Sequence, residues 1–182
     1  SKHSRKVIYG AIGMSMVYFA WSLAAQMWVM QKVDKQLAEL GLQDAPRLVT
    51  ATPFNTLVWQ VLVLTPDGVL SGSHSISQDD AAAPLRFQHV ASDVALLPRL
   101  ANNMALQRLQ RFNQGYFIVR EVGGKLIISD VRMGREPHYT FNFAIAQLHE
   151  GTWQELTPPE QIQDRPDIKQ EWGYLQKRLW GE

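Results

Sequence analysis

The sequence contains no cysteine. Disulfide scaffolds, Cys-ligated zinc, iron–sulfur clusters and thiol nucleophiles are therefore excluded, although the absence fits either the cytoplasm or the periplasm. An excess of one charge is also missing: 18 Lys plus Arg stand against 17 Asp plus Glu, a formal net charge of +1. A broad basic surface is thus not part of the design, and no nucleic-acid partner is expected. The five histidines, His3, His74, His89, His138 and His149, form no HxH, HExxH or HxxxH pair, so no compact metal-ligand spacing exists. There is no GxSxG, no P-loop, no GxGxxG, no internal repeat and no low-complexity segment. Finally, charge of any sign is absent from Val7 to Gln31, a run of 25 positions.

That run is the first positive feature. As a helix it would be about 37 Å long at ~1.5 Å per residue, enough to cross a ~30 Å hydrocarbon core. Lys2, Arg5 and Lys6 precede it, Lys32 ends it, and Tyr9 and Trp28 lie near its two ends, where headgroups favour such rings. Gly10, Ala11, Gly13 and Ser15 form a small-residue patch suited to close helix contact. A buried helix of a soluble protein is one alternative. A signal peptide cleaved near Ser22-Leu23-Ala24 is another, but the apolar run continues through Met27, Trp28, Val29 and Met30. A membrane anchor over residues 7–31 is the reading adopted. Basic residues flank it on both sides; the cluster at the start places the amino end in the cytoplasm and the soluble part in the periplasm. The chain opens on Ser1 rather than Met, and it reads as a piece of a longer protein or a processed form.

At 46% hydrophobic and 19% charged overall, the chain can bury a sizeable core. Val33, Leu37 and Leu40 continue the helical period, Gly41 stops it and Asp44-Ala45-Pro46 breaks the chain, giving an anchor and stalk over 1–43 and a soluble domain over 44–182. Strand patterning begins at Arg47. A long strand is expected over Asn55–Thr65, with Leu57, Trp59, Val61 and Val63 on one face and Val58, Leu62 and Leu64 on the other; Phe54 and Trp59 serve as core anchors. Pro66-Asp67-Gly68 turns the chain into a strand over Val69–Ile76, and another short strand covers Leu85–Val90. One helix is expected over Leu97–Phe112 with Pro98 in its first turn. Strands Tyr116–Val122 and Lys125–Val131 are joined by Gly123-Gly124, and Tyr139–Leu148 alternates well. Pro158-Pro159 halts that region, and a polar amphipathic tail follows, broken at Pro166 and helical from Asp167 to Leu179. Strands in runs with helices at both ends spell an α+β fold with a largely antiparallel sheet.

Chemistry is sparse. Asp130, Arg132 and Arg135, with Glu136 beside them, are the candidate anion, lipid-headgroup or interaction site. The plainer reading makes them a charge network that fixes the loop after a strand. An enzymatic reading gathers His74, Asp79, Asp80, Asp130 and His138 as acid, base or ligand.

Thr52-Pro53-Phe54-Asn55-Thr56-Leu57-Val58-Trp59, Tyr116-Phe117-Ile118-Val119-Arg120 and Ile128-Ser129-Asp130-Val131-Arg132-Met133-Gly134, followed by Tyr139-Thr140-Phe141, occur here in this order. In these segments the chain resembles the bacterial inner-membrane-associated, metal-dependent hydrolases described as LexA-binding. The resemblance implies a multi-span protein whose metal-binding His and Asp residues lie in an upstream membrane part. This chain then corresponds to the last transmembrane helix plus the carboxy-terminal domain, with no family ligand matching any of its residues. Taken with the anchor-like helix and the absence of a local catalytic constellation, it points to a non-catalytic capping, regulatory or substrate-presenting module for the upstream membrane part. A divalent metal belongs, on this reading, to that part. The alternatives are a domain contributing to a metal-assisted hydrolytic site, and a protein-interaction module using its sheet edges and the tail.

Overall fold

The computed structural model describes residues 2–163 and 168–181. The apolar run and the stalk form one continuous helix, α1 (Lys2–Glu39). It ends in a Schellman motif: Gly41 takes a positive φ of 70°, its N–H donates to the Ala38 carbonyl, and the Leu42 N–H reaches back to Leu37. Leu42 also packs in the same apolar cluster as Leu37.

The first sheet is antiparallel in the order β1 (Arg47–Ala51), β2 (Val58–Thr65), β3 (Gly68–Ser75), β4 (Phe87–Ala91). Alternation in β2 sets the layers. Trp59, Val61 and Val63 join Val49 and Leu85 beneath Ala25, Val29, Val33 and Leu37, a stripe repeating every fourth residue of α1. The stalk is therefore not free-standing, because its apolar face is the cover of this sheet. On the opposite face, Leu62, Val69 and Val90 meet Ile118, Val131 and Tyr139 from the second half of the chain.

That half opens with a 3-10 segment, Val94–Leu100, and α2 (Met104–Asn113). The strands β5 (Phe117–Val122), β6 (Lys125–Asp130), β7 (Gly134–Arg135), β8 (His138–Tyr139), β9 (Asn142–His149) and β10 (Thr152–Ile162) follow. They build a second antiparallel sheet in the order β10-β9-β6-β5 and a two-stranded β7-β8 hairpin. Its outer face buries Val119, Leu126, Ile128, Ile145 and Ala146 against Leu100 and Leu106. The layers thus run helix, sheet, sheet, helix, an α+β architecture. A last helix, α3 (Ile168–Trp180), lies against the first sheet.

Several expectations are corrected. The Asn55 carboxamide captures the Leu57 and Val58 N–H groups, so the strand begins at Val58 rather than Asn55. Trp59 is a core residue, but Phe54 is fully exposed. The single helix over Leu97–Phe112 is split because Asn103 caps a fresh helix through the Leu106 N–H and also donates to the Ile145 carbonyl. The Tyr139–Leu148 strand is interrupted at Thr140 and Phe141, where the Asn142 side chain donates back to the Tyr139 carbonyl. Pro158-Pro159 does not end the sheet: β10 carries both prolines as an edge strand, with an irregularity in register between Glu155 and Glu160. The break expected at Pro166, and Asp167, lie outside the described residues.

Gly68 shows how closely β3 and β4 approach. A Cβ there would collide with the Val90 carbonyl oxygen, and Gly68 is paired with Ala91. Gly68→Ala is expected to cost about 1–3 kcal/mol, read as a lowered thermal midpoint of the chain in detergent.

Candidate functional site

Asp130, Arg132 and Arg135 do not converge. Asp130 closes β6 and is 5% exposed; its carboxylate accepts the Arg132 backbone N–H at 3.0 Å, Nε at 3.0 Å and Nη2 at 2.6 Å. Donating to the Asp130 carboxylate holds the Arg132 guanidinium still more firmly protonated. That guanidinium lies 5.1 Å over the Phe112 ring of α2. Beside it, Leu109, Phe112, Ile128, Phe141 and Phe143 line an apolar cavity of about 270 Å³. Arg135 points elsewhere, donating to Glu171 at 3.1 Å and stacking 3.8 Å over Tyr174 of α3. Glu136 is taken by Arg120 at 2.6 Å. Burial, reinforced by Glu136, pushes the Tyr139 hydroxyl far above its ordinary range. Each arginine of the segment therefore already has an acidic partner within the chain. The arrangement fixes the β6–β8 connection to α2 on one side and α3 on the other.

Of the enzymatic set, the fold joins only His74 and Asp79. His74, on the α1-facing side of β3, is 2% exposed and meets the Trp28 ring edge-on at 5.7 Å. Its Nδ1 lies 3.3 Å from Asp79 Oδ2, while Nε2 is buried without a hydrogen-bond partner. Burial, helped by the Lys32 ammonium, pushes the imidazole towards its neutral form. Asp79 accepts Arg178 Nη1 at 2.8 Å and Nη2 at 2.6 Å, plus the Ser75 N–H at 2.9 Å. Burial raises its pKa, but these bonds prevail and hold it below the ordinary carboxylate range.

Asp80 is used locally: its carboxylate accepts the Ala82 N–H and its carbonyl accepts Lys32. Asp130 is committed to Arg132, and His138 sits on β8. Among the described residues, no three His, Asp or Glu side chains gather as a metal site.

The partners that complete the His74 cluster, Trp28, Lys32 and Arg178, carry no local motif; Arg178 is 99 residues from Asp79. Around them Ser75, the last residue of β3, and Ser77 and Gln78 just after it cap the end of α3. Ser75 donates to the Arg178 carbonyl at 2.6 Å, Ser77 to Leu179 at 3.1 Å, and Gln78 Nε2 to Leu179 at 3.0 Å. Ser73 pairs with the Tyr174 hydroxyl at 2.9 Å. Because the Ser75 hydroxyl is directed to Arg178 and not to His74, the cluster holds no assembled nucleophile–base pair. Its chemistry is that of a latch: the terminal carbonyls of α3 find donors, and its arginine finds a fixed anion. The amphipathic tail is thereby docked against its own sheet.

The exposed apolar surface lies elsewhere. Val7, Ile8, Tyr9, Ile12, Met14, Met16, Val17, Tyr18 and Phe19 all project from α1, and this helix is long and apolar enough to cross a membrane. No protein-family model, no curated protein and no solved structure matches the chain.

Proposed function

We propose that this chain is the membrane-tethered, non-catalytic end of a bacterial inner-membrane protein of the metal-dependent hydrolase type that its sequence resembles. Its α+β domain, on the periplasmic side, caps, regulates or supplies substrate to an upstream membrane module that holds the divalent metal. The observation carrying this reading is the two-part use of α1. Residues 5–21 expose an uninterrupted surface that is apolar beyond Lys6, whereas Ala25, Val29, Val33 and Leu37 of the same helix are buried in the domain core. A helix so divided couples the position of the domain rigidly to its membrane segment. Alkaline carbonate extraction tests the tether: the full chain is expected to stay with the membranes, and residues 22–182 to be soluble and folded. A full chain released to the supernatant overturns it. Deleting residues 44–182 from the whole protein is expected to alter its activity; an unchanged activity rejects the capping role.

A second reading, in which the domain contributes to a metal-assisted hydrolytic site, draws on the His74–Asp79 pair. Zinc or manganese raising the thermal midpoint of the chain, through preferential binding to the folded state, supports it. An unchanged midpoint speaks for the first reading.

A further inference from the structure

The path of α1 along the domain is fixed by a series of contacts. Asp34 pairs with Arg47 at 2.6 Å, Gln26 donates to the Val49 carbonyl at 3.0 Å, and Trp21 Nε1 donates to Thr56 Oγ1 at 3.3 Å. Followed towards its amino end, the helix passes the length of β1 and then the loop 52–57. From Arg5 to Ala20 every residue is exposed. The loop is therefore the part of the domain beside which α1 departs.

The uncharged helix beyond that point is too short for a bilayer. Val7–Ala20 spans about 21 Å at ~1.5 Å per residue, and a ~30 Å hydrocarbon core needs roughly 20 residues. Counted from Val7, such a span ends near Gln26, about five residues past Trp21 in the direction of the domain. The outward face there remains apolar and exposed at Leu23, Met27 and Trp28. A loop level with Trp21 then lies about 7 Å below the hydrocarbon boundary, within the ~5–10 Å reached by interfacial segments.

The loop is built for that position. From Leu48 to Pro66 the chain has no charged residue, so immersion desolvates no charge. Asn55 braces the loop: its Oδ1 accepts the Leu57 and Val58 N–H groups, and its Nδ2 donates to Thr52 Oγ1 at 2.7 Å and to the Pro53 carbonyl at 3.2 Å. The Thr52 N–H closes the loop on the Val58 carbonyl. At the tip Phe54 stands at φ 64° and is fully exposed. A non-glycine residue held in the left-handed region, with its ring directed into solvent, gains no compensating contact inside the protein. At the same end of the sheet, where Val58 pairs with Ser75 and Ser75 caps α3, Trp180 is also exposed. Tryptophan favours the headgroup zone.

We infer that the Thr52–Leu57 loop is a second lipid contact, with Phe54 inserted at the headgroup–acyl boundary beside α1 and Trp21 and Trp180 on the same rim. The domain is seated on the bilayer at two points rather than swinging from one. This rests on the tether reading above, and the test separates the two. Because cysteine is absent, single substitutions Pro53→Cys, Met14→Cys and Gln43→Cys can each carry a nitrobenzoxadiazole label in the full chain. The chain is reconstituted in phosphatidylethanolamine–phosphatidylglycerol vesicles containing lipids with a nitroxide near the top of the acyl chain. Quenching is expected at 14 and 53 and not at 43. Adding Phe54→Asp to the Pro53→Cys chain is expected to remove most of the quenching at 53 while leaving that at 14.

Quenching at 14 without 53 overturns the inference and leaves the tether standing. No quenching at either overturns both. Quenching at 53 without 14 rejects the span and, with it, the two-point seating. Equal quenching at 43 and 53, or quenching at 53 that ignores Phe54→Asp, shows adsorption without insertion of the ring and rejects the inference.

Discussion

Removal of residues 1–43 is expected to abolish folding of the first sheet, whereas removal of residues 1–21 leaves it intact. The reason is the shared core. Val29, Val33 and Leu37 are fully buried against Val49, Trp59, Val61, Val63 and Leu85. Burying three such side chains stabilises by about 5–9 kcal/mol, a large part of the roughly 5–15 kcal/mol that keeps a domain folded. Their removal also uncovers the β2 side chains beneath them. Polar contacts are lost together with the apolar ones: Gln36 both donates to the Leu85 carbonyl at 2.8 Å and accepts its N–H at 2.7 Å, holding the approach to β4. Hydrogen exchange of the β2 amides is the measurement. Residues 22–182 should protect them as the full chain does, and residues 44–182 should not. A 44–182 fragment that melts cooperatively at the temperature of residues 22–182 would show that the helix is dispensable. Leu37→Ala in the full chain is the milder version, expected to cost about 2–5 kcal/mol.

Asp79→Ala is expected to release α3. It removes both Arg178 bonds, the Ser75 N–H contact and the partner of His74 Nδ1. Breaking a fully buried pair costs ~3–5 kcal/mol; with both partners about a quarter exposed, about 2–3 kcal/mol is expected here. Loss of exchange protection confined to α3 is the signature.

The same cluster predicts a pH dependence of one sign. His74, facing Lys32 of α1, Asp79 of the following loop and Arg178 of α3, has a pKa depressed below its ordinary 6.5. The unfolded chain therefore takes up the proton first, and the stability this group contributes is complete above about 6.5 and falls as pH drops towards its folded value. Asp79 is depressed below 3.8, so its contribution is present above that value and is lost as pH falls further. Stability should decline in two stages on acidification. His74→Gln should remove the upper stage and keep the lower, measured as midpoint against pH; a flat profile between neutral pH and about 5 would refute the upper one.

Legibility in the sequence followed the range of the interaction. Gly41 marked the end of α1, and Pro66-Asp67 and Gly123-Gly124 marked hairpins, because turn chemistry is local. Alternation at Trp59, Val61 and Val63 against Leu62 assigned opposite faces correctly. The errors arose where a side chain or a pairing overrode the local pattern. Asn55 and Asn103 recruited backbone N–H groups and moved the start of an element. β10 carries Pro158 and Pro159 because an edge strand needs donors on only one side. Within the candidate site, the closeness of His74 and Asp79 in sequence was visible, but Arg178 and Trp28 were not.

By itself, then, the sequence determined an uncharged helix of membrane-spanning length, an antiparallel α+β domain, and the lack of any compact catalytic or metal motif. These are properties of composition, period and short spacing. Only the tertiary structure decided that half of that helix belongs to the domain core and that the Asp130 arginines separate to different partners. It also decided that the tail is latched through Asp79 and that Phe54 points out beside the departing helix. Each of these depends on which face of an element meets another far along the chain. Nothing in the local pattern distinguishes an apolar residue awaiting a core from one left exposed; that choice is made only when the layers pack.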